Sequence, residues 1–191
     1  MDFQWYPGHM TKAKRMMQEN MKLIDIMIEL VDARIPLSSR NPDIDQLAAN
    51  KSRLILLNKT DMADERVTAQ WEEYFKEKGF YVARTNARSG KGVKGTQAIV
   101  MDACKEKLER DRKRGIKNRP IRAMIAGIPN VGKSTFINSL VGKACTKTGN
   151  TFNSLIHSFF ASRFLAPARN ILESTLASMV FMFTTSSSSD Y

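Results

Sequence analysis

Residues Gly127 to Thr135 read GIPNVGKST and directly follow Ile121 to Ala126, a short run that is apolar apart from Arg122. The run has the length of a buried strand, and Thr135 to Val141 has the apolar periodicity of a helix. Strand, glycine turn and helix in this order satisfy GxxxxGK[ST], with Gly127, Gly132, Lys133 and Ser134 at the fixed positions. In such a loop the glycines let backbone N–H groups wrap a phosphate, the lysine neutralises its charge, and the hydroxyl holds magnesium. Asn130, Val131 and Thr135 complete the loop. The competing reading, a chance glycine turn before a helix, is disfavoured by the strand and helix on either side.

The rest of the chain alternates in the same manner. A basic helix is expected over residues 11–22, with Thr11 as N-cap. Ile24 to Val31 reads as a strand despite Asp25 and Glu29, and DARIPLSSRNP, Asp32 to Pro42, reads as a loop. Arg53 to Leu57 suits a strand buried on both faces of a parallel sheet. Residues 64–78 suit an amphipathic helix whose Val67, Trp71, Tyr74 and Phe75 are expected in the core, with Gly79 at the C-cap. Phe80 to Ala83 reads as a third strand, TNARSGKG as a loop, Val93 to Arg112 as one helix, and KRGIKNRP as a linker. The pattern predicts an α/β fold: a parallel sheet with helices on both faces and ligand loops at the strands' C-terminal ends.

Two of those loops carry base-reading chemistry. NKTD, Asn58 to Asp61, follows the second strand, and the Asp61 carboxylate can accept from both N1–H and the exocyclic amine of guanine, a pairing adenine does not offer. Asn58 and Lys59 would brace the neighbouring loops and lie along the base, with Thr60 completing the nucleotide-binding segment; on four residues alone a polar turn is an equal reading. TNARSG could present Asn86 and the backbone of Ala87 to the far edge of the base, or be an ordinary surface loop.

Together the segments resemble the TRAFAC-class GTPases, in which the phosphate loop usually comes first and the base-reading loops last. Here NKTD and TNA precede GIPNVGKST, so the motif order is circularly permuted. With WYPGHM (Trp5 to Met10) and DARIPLSSRNP, the permuted order is similar to the ribosome biogenesis GTPase A type over about residues 1–151. The resemblance implies a P-loop NTPase three-layer fold and GTP bound with Mg2+ through Ser134. It further implies a cytoplasmic, monomeric assembly factor that acts on a precursor of the large ribosomal subunit and its rRNA. It also raises K+ coordination by Asn130, against a role for Asn130 in shaping the loop alone. His9 in PGHM is a candidate for proton handling or a phosphate contact, against a structural or RNA-facing role.

Charge agrees with a polyanion partner. The chain carries +11 at pH 7, with clusters at Lys12, Lys14 and Arg15 and at Lys105, Lys107, Arg110, Arg112, Lys113, Arg114, Lys117 and Arg119. A solvated helix face is the alternative. Cys104 and Cys145 form neither a CxxC nor a Cys/His cluster, so neither a disulfide framework nor a zinc site is suggested. The N-terminus has no signal-peptide pattern.

Residues 152–191 depart from the family. Beyond Ser134 the sole aspartate is Asp190, so the DxxG motif that contacts magnesium and senses the γ-phosphate has no counterpart. Arg163 and Arg169 balance Glu173 and Asp190, and no apolar stretch approaches the roughly 20 residues that span a bilayer. The expectation is a basic segment (1–22), a partial GTP-binding domain with an incomplete sheet (23–151), and an atypical tail (152–191). A frameshift or truncation is expected to have produced the tail, with impaired hydrolysis as its consequence; an alternative genuine C-terminus is the rival reading. A non-hydrolysing RNA-binding scaffold and a nonfunctional truncation product are the functional alternatives.

Overall fold

The computed structural model of the chain describes residues 18–116, 120–141 and 179–183. His9, Lys12, Lys14, Arg15, Lys117, Arg119 and most of the expected first helix lie outside them; residues 18–21 are helical. Four strands, β1 (Ile26–Asp32), β2 (Ser52–Asn58), β3 (Tyr81–Arg84) and β4 (Ile121–Ala126), pair in parallel in the order β3-β2-β1-β4. All seven residues of β1 are buried, as a central strand requires. The α/β expectation holds.

A fifth strand, β5 (Met179–Phe183), pairs antiparallel with the outer edge of β4, Ile121 opposite Phe183 and Ile125 opposite Met179. The sequence reading sets this region apart as an atypical tail. The physical basis for the strand is local: MVFMF has no charge, glycine or proline and is rich in β-formers. β4 in turn offers a row of backbone N–H and C=O groups that need partners.

Side-chain alternation divides the core between two faces. Ile26, Ile28, Leu30, Leu54, Leu56, Ala123 and Ile125 lie in one cluster. Helices α3 (Thr96–Ala103), α4 (Lys105–Lys113) and α5 (Lys133–Val141) add Val100, Leu108, Phe136 and Ile137 to it. On the other face Met27, Ile44 and Met124 form a second cluster and Val31, Ile55, Leu57 and Phe75 a third. Glu29, only 1% exposed, shares the alternation of Met27 and Val31. Arg40 donates to its carboxylate at 3.0 Å and Arg53 at 3.1 Å, and both guanidiniums lie over the Phe80 ring. A buried carboxylate is tolerated because two cations surround it.

The sequence reading assigns no element to residues 43–47, and two further local expectations need correction. A short helix, α1 (Asp43–Leu47), follows Pro42 directly, and Asn41 Oδ1 accepts from Asp43 N at 3.0 Å. The helix α2 (Glu65–Glu77) buries Phe75, but Val67 is 47% and Tyr74 38% exposed. Only one edge of the apolar stripe meets the sheet. The single helix expected over residues 93–112 is two, α3 and α4, separated at Cys104. There Ser52 Oγ of β2 donates to Ala103 O at 2.8 Å, a side chain intruding on the helical ladder.

Asp64 caps α2: its Oδ1 accepts from Arg66 N at 2.8 Å and Val67 N at 3.0 Å, and Gly79 follows the helix in the left-handed region (φ 83°). Asp64→Ala is expected to cost about 1 kcal/mol of stability in chemical denaturation, with nucleotide affinity unchanged.

Candidate nucleotide site

The loops after β1, β2, β3 and β4 leave the same end of the parallel sheet, where α/β proteins build ligand sites. The loop after β4 is the tightest. Gly127 has φ 154°, and a Cβ there would lie 2.6 Å from Leu30 O. At Gly132, φ 100°, a Cβ would lie 2.5 Å from Asn58 Nδ2. Both positions therefore exclude a side chain, by backbone conformation and by space.

Lys133 opens α5, and its ammonium folds back to donate to Gly127 O at 2.8 Å and Ile128 O at 2.7 Å. Burial pushes its pKa down to about 8. An anion seated in the loop would supply the missing countercharge. Phe136 and Ile137, fully packed in the core, fix the helix that presents Ser134 and Thr135 in its first turn.

Asn58 ends β2 and ties three segments together. Its Nδ2 donates to Val131 O at 2.8 Å, and its Oδ1 accepts from Ala87 N at 3.0 Å and Thr85 Oγ1 at 3.4 Å. It is 2% exposed. Lys59 adopts a left-handed conformation (φ 64°), and its ammonium donates to Asp32 Oδ2 at 2.9 Å and Asn130 O at 2.8 Å. A 3-10 turn, Thr60–Met62, then presents Asp61 to solvent, and Thr60 Oγ1 donates to Thr85 O at 3.2 Å. Asn86 Oδ1 accepts from Arg88 N at 3.0 Å and Ser89 N at 3.1 Å, which shapes the loop after β3.

Asn58, Lys59 and Ala87 are thus brought together with Asn130, Val131 and Gly132, while Thr60, Asp61 and Asn86 lie on the same base-side loops and Lys133, Ser134 and Thr135 in the first turn of α5. Sequence reasoning gave no role to Asp32, Arg34 or Thr85. Asp32 closes β1 in register with Asn58, and the Arg34 guanidinium, then Lys59, hold its carboxyl well below the usual carboxylate range although burial opposes them. The signal was available: an acid at the end of one strand beside the lysine that follows its neighbour. In the second basic cluster, Lys105, Arg110, Arg112, Lys113 and Arg114 are exposed, whereas Lys107 pairs with the buried Asp25 and braces α4. Among the described residues no group of three or more His, Cys, Asp or Glu side chains is placed to hold a metal.

A family model described as a 50S ribosome-binding GTPase matches residues 122–154, which include β4 from its second residue, the glycine loop and α5. Ribosome biogenesis GTPase A of Priestia megaterium is 56% identical over 151 residues, 78% of this chain and 52% of that protein. Over this span the chain is homologous to ribosome biogenesis GTPase A. The Thermotoga maritima ribosome biogenesis GTPase A is 39% identical over 145 residues, 76% of this chain and 48% of its own length. The crystal structure of GNP-bound YlqF from T. maritima matches with a TM-score of 0.50 and 35% identity, over 75% of this chain and 53% of that one. The chain therefore spans about half the length of the ribosome biogenesis GTPase A relatives it matches. In this chain NKTD precedes the glycine loop, the permuted order. No helix among the described residues is long and apolar enough to cross a membrane.

Proposed function

We propose that residues 23–151 form a guanine-nucleotide site of a factor that assembles the large ribosomal subunit in the cytoplasm, contacting rRNA and working as a monomer. The convergence of NKTD, TNA and GIPNVGKST about Asn58 carries this reading. In it, backbone N–H groups between Gly127 and Ser134 grip the phosphates, and Lys133 exchanges its two carbonyl partners for phosphate oxygens. Asp61 reads the guanine edge, Ala87 and Asn86 border its far side, and Lys59 lies along the base.

Magnesium fits this donor set: Ser134 offers one hydroxyl, and phosphate oxygens with water complete the six ligands this ion takes. When bound there, it would neutralise phosphate charge. Asn130 is the residue for potassium and His9 for proton handling. Without a DxxG aspartate and glycine, GTP turnover by this chain is proposed to be slow.

The test is a titration of the 191-residue chain with GDP and ADP. GDP should bind at least about tenfold more tightly, and Asp61→Ala should abolish the preference by removing the two acceptors that guanine needs. Equal affinity for both nucleotides would remove the guanine reading. A second reading, an RNA-binding scaffold that does not hydrolyse GTP, draws support from the exposed Lys105, Arg110, Arg112, Lys113 and Arg114. RNA affinity indifferent to nucleotide would favour it.

A further inference from the structure

We propose that Asp32 is a positioning residue for nucleotide binding, holding Lys59 in the conformation that locks the base-reading loop to the phosphate loop. The inference rests on the guanine-nucleotide reading and deepens it.

Two non-glycine residues among those described have positive φ, Lys59 and Asn130, both at 64°. Such a conformation is unfavourable for a residue with a side chain and persists only where its surroundings over-determine it. The two are bonded to each other, Lys59 Nζ donating to Asn130 O at 2.8 Å. One ammonium therefore joins the strained turn of NKTD to the strained turn of the phosphate loop. A carbonyl alone is a weak anchor for a charged amine; the other partner is the Asp32 carboxylate at 2.9 Å.

Asp32 is itself firmly held. It lies opposite Asn58 in the β1–β2 register, and Ala33 N donates to Asn58 O at 2.8 Å. Its own N–H donates to Ser39 Oγ at 2.8 Å. Arg34 donates to Asp32 Oδ1 from its backbone at 3.1 Å and from Nε at 2.9 Å, and to Oδ2 from Nη2 at 2.7 Å. That grip fixes both carboxylate oxygens and so the direction in which Lys59 is drawn. The fold thus supplies a rigid anion at the end of β1 whose outward partner is the base-loop lysine. Without its charge, Lys59 keeps one carbonyl, and the two loops are free to shift independently.

The experiment is a double-mutant cycle on the full chain, with GDP affinity read by equilibrium titration and folding by thermal melting. Asp32→Asn, nearly isosteric, should weaken GDP binding about tenfold, and by less than about twofold when introduced into Lys59→Met. Arg34→Gln alters a side chain that is 42% exposed, so folding tolerates it. It should weaken GDP about threefold, again with the effect abolished by Lys59→Met. Arg34→Gln carries the same test should Asp32→Asn fail to fold. The proposal is overturned if both variants bind GDP within about twofold of wild type, or if each loses the same factor in both backgrounds, which is what a merely structural role gives. Wild type that binds no guanine nucleotide overturns the functional reading and this inference with it; wild type that binds, with variants that match it, overturns the inference alone.

Discussion

Lys133→Met is expected to weaken GDP binding by about two to three orders of magnitude and, without nucleotide, to raise stability. The first effect follows from removing the one cation of the phosphate loop, which is partly buried, a loss typically worth about 2–5 kcal/mol where charged partners are desolvated. The second follows from the burial that lowers the Lys133 pKa to about 8. A lysine with a folded pKa below its unfolded value of 10.5 destabilises the fold while it is charged. That penalty is fully present below pH 8 and fades as pH rises from 8 to 10.5. Its size is about 1–3 kcal/mol, since the Gly127 and Ile128 carbonyls offset part of the desolvation. Ligand-free wild type should therefore gain stability across that pH range, while Lys133→Met stays flat apart from titrations common to both. Thermal melts of the two proteins between pH 7 and about 10.5, with and without GDP, measure all three effects. A variant less stable than wild type at pH 7 would mean that the two carbonyl bonds outweigh the burial.

Asn58→Ala should destabilise the domain by about 3–4 kcal/mol, a large share of a total that rarely exceeds about 15 kcal/mol. The loss is not one hydrogen bond. It leaves the Val131 carbonyl, the Ala87 N–H and the Thr85 hydroxyl without their Asn58 partner in positions where water is largely excluded. The denaturation midpoint should fall with an unchanged slope, and nucleotide affinity should fall with it because both loops lose their shared anchor. A decrease below about 1 kcal/mol would show that the loops hold each other by other means.

Much of this was legible from the chain. β1, β2 and β4 are nearly continuous apolar runs, and a parallel central sheet needs such runs because helices cover both its faces. GIPNVGKST was legible because its glycines are required twice over, by backbone angle and by close neighbours. What escaped depended on partners far away in sequence. Glu29 and Asp25 look like faults in a strand until Arg40, Arg53 and Lys107 are brought beside them. The break at Cys104 depends on a serine 51 residues distant from the carbonyl it meets. The aromatic stripe of α2 gave the right element but the wrong share of it buried, because periodicity fixes a face and not how deeply it sits. Asp32 was seen as part of a motif, and its purpose emerged only when β1 and β2 aligned in register.

The antiparallel seat of β5 on β4 sets an order of events during synthesis. β1, β2 and β3 fall within the stretch 26–84 and are available to one another early, whereas the outer flank of β4 must wait for residues nearly sixty positions later. Until Met179–Phe183 emerges, the strand that leads into the glycine loop carries a bare row of amides and carbonyls, open to whatever extended segment is nearby. A nascent chain stalled before residue 179 would therefore be the form most prone to pair with a neighbour.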